Sequence, residues 1–260
     1  MDKKVYKDIN NKSKITLINL NKLINDHIII DRIDTWPDSI SKLFEANLSL
    51  MRSYFERKAE IDYCLQEHNF YFQKPANKYD NDYGRLLLSI EDKLLKTKIL
   101  GFHCSRLTNT EITYIKENGL YPLSHELRKW KLDLLLDNCI ITEEEYNRLL
   151  NTFCKLTNAF GCSYFFMFAK TLREDYSGLS RLLTLWGGEA IYKAFLGDKK
   201  MKGLLSSIGT PCILLGSLRY NDSSKLKTIP EIMCKLYMYI EHRLELIIND
   251  IDVWTEKTIK

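Results

Sequence analysis

The chain has 260 residues, 45% hydrophobic and 28% charged, which is enough apolar material for one large core or two small ones and excludes a disordered polymer. Its 38 basic and 34 acidic residues leave a formal charge of +4 with no long basic run, which permits an anionic ligand without demanding one. Seven cysteines, at 64, 104, 139, 154, 162, 212 and 234, include no Cys-x-x-Cys pair, a pattern that suits a reducing cytosol. The start, Met1-Asp2-Lys3-Lys4-Val5, lacks the apolar stretch of a signal peptide, and the longest apolar run, Tyr164 to Ala169, is too short to span a bilayer. A cytoplasmic protein with no membrane partner is expected.

All 11 glycines fall between Gly84 and Gly216, so a helical N-terminal region is expected over residues 1–90, followed by an α+β region over 91–260. Trp36-Pro37-Asp38 reads as a helix start, and Ile40, Leu43, Phe44, Leu48, Met51, Tyr54, Phe55 and Leu65 recur at helical spacing to about Phe70. Gln73 to Asp82 reads as a polar loop, and Arg85 to Lys96 returns to helical spacing. The run from Ile99 reads as a strand ending at His103-Cys104-Ser105-Arg106. It is followed by a helix with Thr108 or Asn109 as N-cap, Ile112 and Ile115 on one face and Asn118-Gly119 as its left-handed stop. His125 to Asn138 and Thr142 to Leu156 read as a helical insertion, the second helix opened by a capping box of Thr142 with Glu145. Cys162 to Phe168 reads as a central strand, Leu179 to Phe195 as helix, and Pro211 to Tyr220 as another strand. Ile229 to Glu241 reads as helix and Leu244 to Ile248 as a last strand. Mixed order of this kind predicts an α+β fold.

Two stretches carry the chemistry. At the first, His103 is either a ligand-binding side chain at a strand end or a hydrogen-bonded core residue, with Arg106 capping a carboxylate. At the second, Trp186-Gly187-Gly188-Glu189, a glycine pair weakens a helix by roughly 2 kcal/mol relative to alanines and calls for a reason. If the helix breaks there, Trp186 and Glu189 project beside free amides, an arrangement suited to a planar ring and a ribose hydroxyl. If it does not, the glycines let two helices pack closely, Trp186 fills the core and Glu189 caps. A His103–Cys104 nucleophile pair is excluded because adjacent strand residues face opposite ways. His27, His68, His125 and His242 have no partner at metal-ligand spacing, and neither GxGxxG nor GxxxxGK[ST] occurs.

Phe102-His103-Cys104, the Glu111-Ile112-x-x-Ile115 helix and Gly119-Leu120-Tyr121-Pro122 together resemble the core of the ADP-ribosyltransferase superfamily, whose first strand commonly reads Phe-His-Gly. Cys104 stands in place of that glycine, and no late Glu-x-Glu strand ending is evident. The resemblance implies a mixed, mainly antiparallel split sheet carrying the helical insertion, with NAD as substrate. His103 would hold a ribose hydroxyl, and Glu189, or second to it Glu245 (or Glu241), would stabilise the oxocarbenium-like transition state. Tyr164 is the candidate for the ring stacked on nicotinamide, the alternative being a core aromatic. Cys104, Ser105, Arg106, Trp186 and Tyr192 complete the cofactor-binding set, and Arg106 and Arg219 are candidates for the pyrophosphate. The implied partner is a macromolecular acceptor, protein or nucleic acid, in a toxin or phage-defence setting. The competing expectation is a non-enzymatic protein-binding module, with residues 36–70 as the surface for an inhibitory or regulatory protein.

Overall fold

The spine of the sheet is β2 (Lys98–Leu107), a strand in which apolar residues occupy both faces of the first half. The computed structural model describes residues 27–68, 75–152, 161–172, 179–244, 246, 252–255 and 259. On one edge of β2 lies β4 (Thr210–Arg219), antiparallel from Lys98↔Arg219 to Leu107↔Thr210. On the other edge β1 (His27–Ile28) pairs in parallel with Lys98 and Ile99, and further along β3 (Ser163–Phe166) meets β2 at the single pair Phe102↔Phe166. β5 (Asp252–Thr255) runs antiparallel to β3. The result is a mixed five-stranded sheet. Gly101 and Gly216 face each other across β2 and β4 because the Phe165 ring lies over both: a Cβ on Gly216 would come 2.4 Å from that ring.

Among the described residues the helices are α1 (Asp38–Ala46), α2 (Leu48–His68), α3 (Asp80–Leu94), α4 (Asn109–Asn118), α5 (His125–Asp137) and α6 (Glu143–Asn151). They continue as α7 (Leu179–Thr184), α8 (Glu189–Tyr192), α9 (Lys199–Ser207) and α10 (Ile229–His242). Thr108 and Thr142 close capping boxes with Glu111 and Glu145, and Gly119, at φ +89°, ends α4.

Several expectations are corrected. The helix read from Trp36 to about Phe70 is two helices, broken at Asn47, whose side-chain amide donates to the Leu43 carbonyl at 2.8 Å and competes with the helix's own bonding; Phe70 lies outside the described residues. Asp80 to Asp82, read as loop, form the first turn of α3, where carboxylates complement the helix dipole. Leu244 and Leu246 are not strand: Arg243 takes the left-handed conformation at φ +55°, and the Leu244 N–H turns back to the Met238 carbonyl. β2 continues four residues past His103, which is therefore mid-strand.

The main apolar cluster joins Trp36, Ile40, Phe44, Met51 and Phe55 to Leu86, Ile90, Ile99, Phe165, Leu218, Met233 and Tyr237. The boundary expected near residue 90 thus falls inside one continuous core, and Ile40, Phe44, Met51 and Phe55 of the expected 36–70 surface are buried in it. A second cluster packs α5 and α6 against α7–α9 through Leu132, Leu149, Trp186, Ile191, Met201 and Leu205. Among the described residues no helix is long and apolar enough to cross a membrane.

Candidate functional site

Alternation along β2 puts Gly101, His103 and Ser105 on the face that carries Phe165, and Phe102, Cys104 and Arg106 on the other. The His103 ring lies 5.8 Å from that of Phe165, and its Nδ1 is 2.8 Å from the Tyr164 carbonyl oxygen. β2 and β3 are in register at Phe102↔Phe166 and part beyond it, so an imidazole takes the carbonyl that a ladder amide would otherwise meet. A carbonyl only accepts, so Nδ1 carries the proton and the neutral ring keeps Nε2 as an acceptor. Burial pushes the His103 pKa below its ordinary 6.5; the Tyr164 carbonyl opposes this, and the Lys131 ammonium adds to it.

Three of the expected ligand residues belong to the opposite face. Cys104 is buried, and burial pushes its thiol up to about 12, which makes it inert. Arg106 donates from Nε to the Ile208 carbonyl at 2.6 Å and from Nη1 to the Leu183 carbonyl at 3.4 Å, so it closes the ends of α9 and α7 where a pyrophosphate contact was expected. Tyr164 alternates with Phe165, so its exposed ring points to the other face, and its backbone oxygen reaches the imidazole. Ser105 does share the His103 face, opposite Cys212. Arg219 lies at the far end of β4, five residues from the partner of His103, or roughly 16 Å along a strand.

The Gly187-Gly188 pair breaks the helix, with φ +90° and +64°. At Gly187 a Cβ would stand 2.6 Å from the Ile191 Cδ1, so a side chain is excluded there on both counts. Trp186 does not project into a site. It is 0% exposed, its amide donates to the Leu205 carbonyl at 3.0 Å, and its indole Nε1 donates to Glu111 Oε2 at 2.9 Å. Tyr192 is buried, its phenol pushed up to about 12 by burial and by Glu189. Glu189 itself is 51% exposed, with the Lys193 ammonium at 2.6 Å from Oε2 and the Tyr192 hydroxyl at 3.4 Å from Oε1. None of these partners belongs to β2 or β3, so the structure joins Glu189 to its own turn and not to His103. Glu241 ends α10 on the surface, and Glu245 lies outside the described residues.

The carboxylate that sequence reading missed is Glu111. It is 2% exposed, and Oε2 accepts from the Thr108 amide at 2.8 Å, the Thr108 hydroxyl at 2.9 Å and the Trp186 indole, while Oε1 lies 2.9 Å from the Lys131 ammonium. Burial raises its pKa, but Lys131, Thr108 and Trp186 outweigh it, and the carboxyl titrates below its ordinary 4.5. The Thr108-x-x-Glu111 spacing was the available signal, since it is that of a capping box.

No protein-family model, curated protein or solved structure matches this chain. Among the described residues no group of three His, Cys, Asp or Glu side chains could hold a metal ion. A groove of about 780 Å³ opens between α3 and the start of α10, lined by Asp80, Arg85, Leu88, Glu91, Lys227 and Glu231. It includes none of the expected site residues.

Proposed function

We propose that the chain transfers ADP-ribose from NAD to a macromolecular acceptor, with His103 accepting a hydrogen bond from a ribose hydroxyl. The observation that carries this reading is the 2.8 Å bond from His103 Nδ1 to the Tyr164 carbonyl, at the point where β3 leaves β2. It pins the ring and its tautomer, and desolvation keeps the imidazole neutral, so Nε2 offers a lone pair to a hydroxyl donor. A phosphate, itself only an acceptor, would gain nothing from that nitrogen. The resemblance of Phe102-His103-Cys104 and Gly119-Leu120-Tyr121-Pro122 supplies the reaction class. In the reaction the bond from ribose C1′ to nicotinamide breaks, nicotinamide leaves with the electron pair, and an acceptor nucleophile attacks C1′ and gives up its proton. The resemblance assigns Glu189 to the positive charge that develops on the ribose; its carboxylate is held by Lys193 and Tyr192 of its own turn.

The protein-binding alternative needs the 36–70 stripe at the surface, and Ile40, Phe44, Met51 and Phe55 are buried. The test is to incubate the purified protein with NAD labelled on the adenylate phosphate and with cell extract. Transferred label with equimolar nicotinamide release is expected, and His103→Ala should abolish both while leaving the melting temperature nearly intact. Absence of transfer by the parent chain, or a His103→Ala variant that unfolds, overturns the reading.

A further inference from the structure

We propose that the outward face of α3 is a dimerisation surface whose partner is the same face of a second copy of this chain, packed antiparallel so that Leu95 of each copy seats over Gly84 of the other. None of the residues assigned to NAD lies on this helix, so the surface stands apart from the transfer reaction.

The two sides of the helix differ sharply. Tyr83, Leu86, Ile90 and Leu94 are buried in the main core. On the opposite side Leu88 is 63% exposed and Leu95 48%. Heptad spacing from Asn81 through Leu88 to Leu95 puts these residues in one line, with Gly84 and Glu91 beside it, which is the pattern of a helix-pairing seam. Gly84 is a second, independent sign. Glycine inside a helix costs about 1 kcal/mol relative to alanine, yet nothing lies within 4 Å of where its Cβ would stand. No contact among the described residues requires it. Gly84 and Leu88 both line the groove between α3 and the start of α10, so the missing side chain leaves room there for a bulky one from outside.

The face is complementary to itself. In an antiparallel pair with its two-fold axis level with the Ser89–Ile90 bond, Leu95 comes opposite Gly84 of the second copy, and the two Leu88 side chains meet beside the axis. The same register brings Arg85 to Asp92 of the second copy along one flank, and symmetry repeats that pair. Within the chain Arg85 meets Asp82 at 3.3 Å with both side chains more than half exposed, a pair worth little and readily exchanged. Parallel packing would set Gly84 against Gly84, leaving the gap unfilled, and would align the helix dipoles unfavourably. The 15 residues of α3 span about 22 Å, so the contact is small, with leucines at its centre and charges at its rim, as in a reversible dimer.

Sedimentation equilibrium of the full chain, from micromolar to millimolar concentration, should show a reversible monomer–dimer equilibrium. Gly84→Ala should raise the melting temperature of the monomer, as loss of a helix glycine does, and yet weaken dimerisation about tenfold or more, because the new methyl group takes the place of Leu95. Leu88→Glu should weaken it at least as much while leaving the monomer's melting temperature unchanged. Arg85→Asp and Asp92→Arg should each weaken the dimer, and the double variant should recover to within about threefold of the parent chain. A chain that is monomeric at every concentration overturns the inference, as does a dimer that Gly84→Ala or Leu88→Glu leaves intact, or a double reversal that fails to recover. A monomer whose melting temperature falls with Leu88→Glu has this face covered within the chain, and a monomer that retains a protein from extract only while Leu88 is present has a different partner there; either result overturns it too.

Discussion

Beneath α1–α3 and α10 the buried contacts are those of apolar and aromatic side chains: Phe44 stacks on Tyr237 at 5.0 Å between centroids, and Tyr54 on Tyr83 at 3.7 Å. The cluster around Trp186 is apolar as well, but it abuts a buried charge, with Glu111 accepting from Thr108 and Trp186 and ion-paired with Lys131 at its edge. The two regions should therefore fail differently. The first loses stability in proportion to the volume removed, at any pH; the second loses it when one carboxylate is neutralised or deleted.

The largest effect is expected in the first region. Phe44→Ala removes a fully buried ring and should cost about 3–5 kcal/mol in a urea titration, with the same loss at pH 7 and pH 4. A loss under about 1 kcal/mol would mean that α1 does not share the sheet's core.

Glu111→Ala comes next, at about 3 kcal/mol, because it strands the Lys131 ammonium, the Trp186 N–H and the Thr108 amide. The loss should depend on pH. The folded-state pKa of Glu111 lies below 4.5, so its contribution is present above that value and disappears as pH falls through the folded value. Equal destabilisation by Glu111→Ala at pH 7 and well below pH 4 would erase the distinction between the regions.

Smaller effects sharpen the picture around the turn. Gly187→Ala meets both a positive φ and the Ile191 side chain and should cost about 2 kcal/mol. Gly203→Ala, inside α9 with open space around it, should instead stabilise by about 1 kcal/mol. Melting curves of the two variants moving in the same direction would contradict the assigned turn geometry.

Much of the fold was legible because its signals are local. Thr108, Thr142 and Gly119 mark helix ends by their own chemistry, and the strands at Ile99 and Pro211 declare themselves by composition. The break at Asn47 was hidden because apolar spacing continues through it, and the left-handed Arg243 gave no cue, since a non-glycine residue there is uncommon. In the candidate site, His103 stood out by residue type and position in the strand. The rest depended on which face each neighbour takes and on partners far along the chain. Arg106 turned out to staple two helix ends, Tyr164 contributes a backbone oxygen in place of its ring, and Trp186 is core because Glu111, 75 residues earlier, binds its one polar atom.

The central claim is that His103 is a neutral, oriented acceptor for a ribose hydroxyl, and ¹⁵N-resolved NMR of its imidazole, titrated with NAD, tests it most directly. Because the folded-state pKa is depressed, the ring should stay neutral as pH falls through 6.5, with Nδ1 protonated and Nε2 bare, and NAD should shift the Nε2 resonance. A ring that charges near 6.5, or an Nε2 signal indifferent to saturating NAD, would contradict the account.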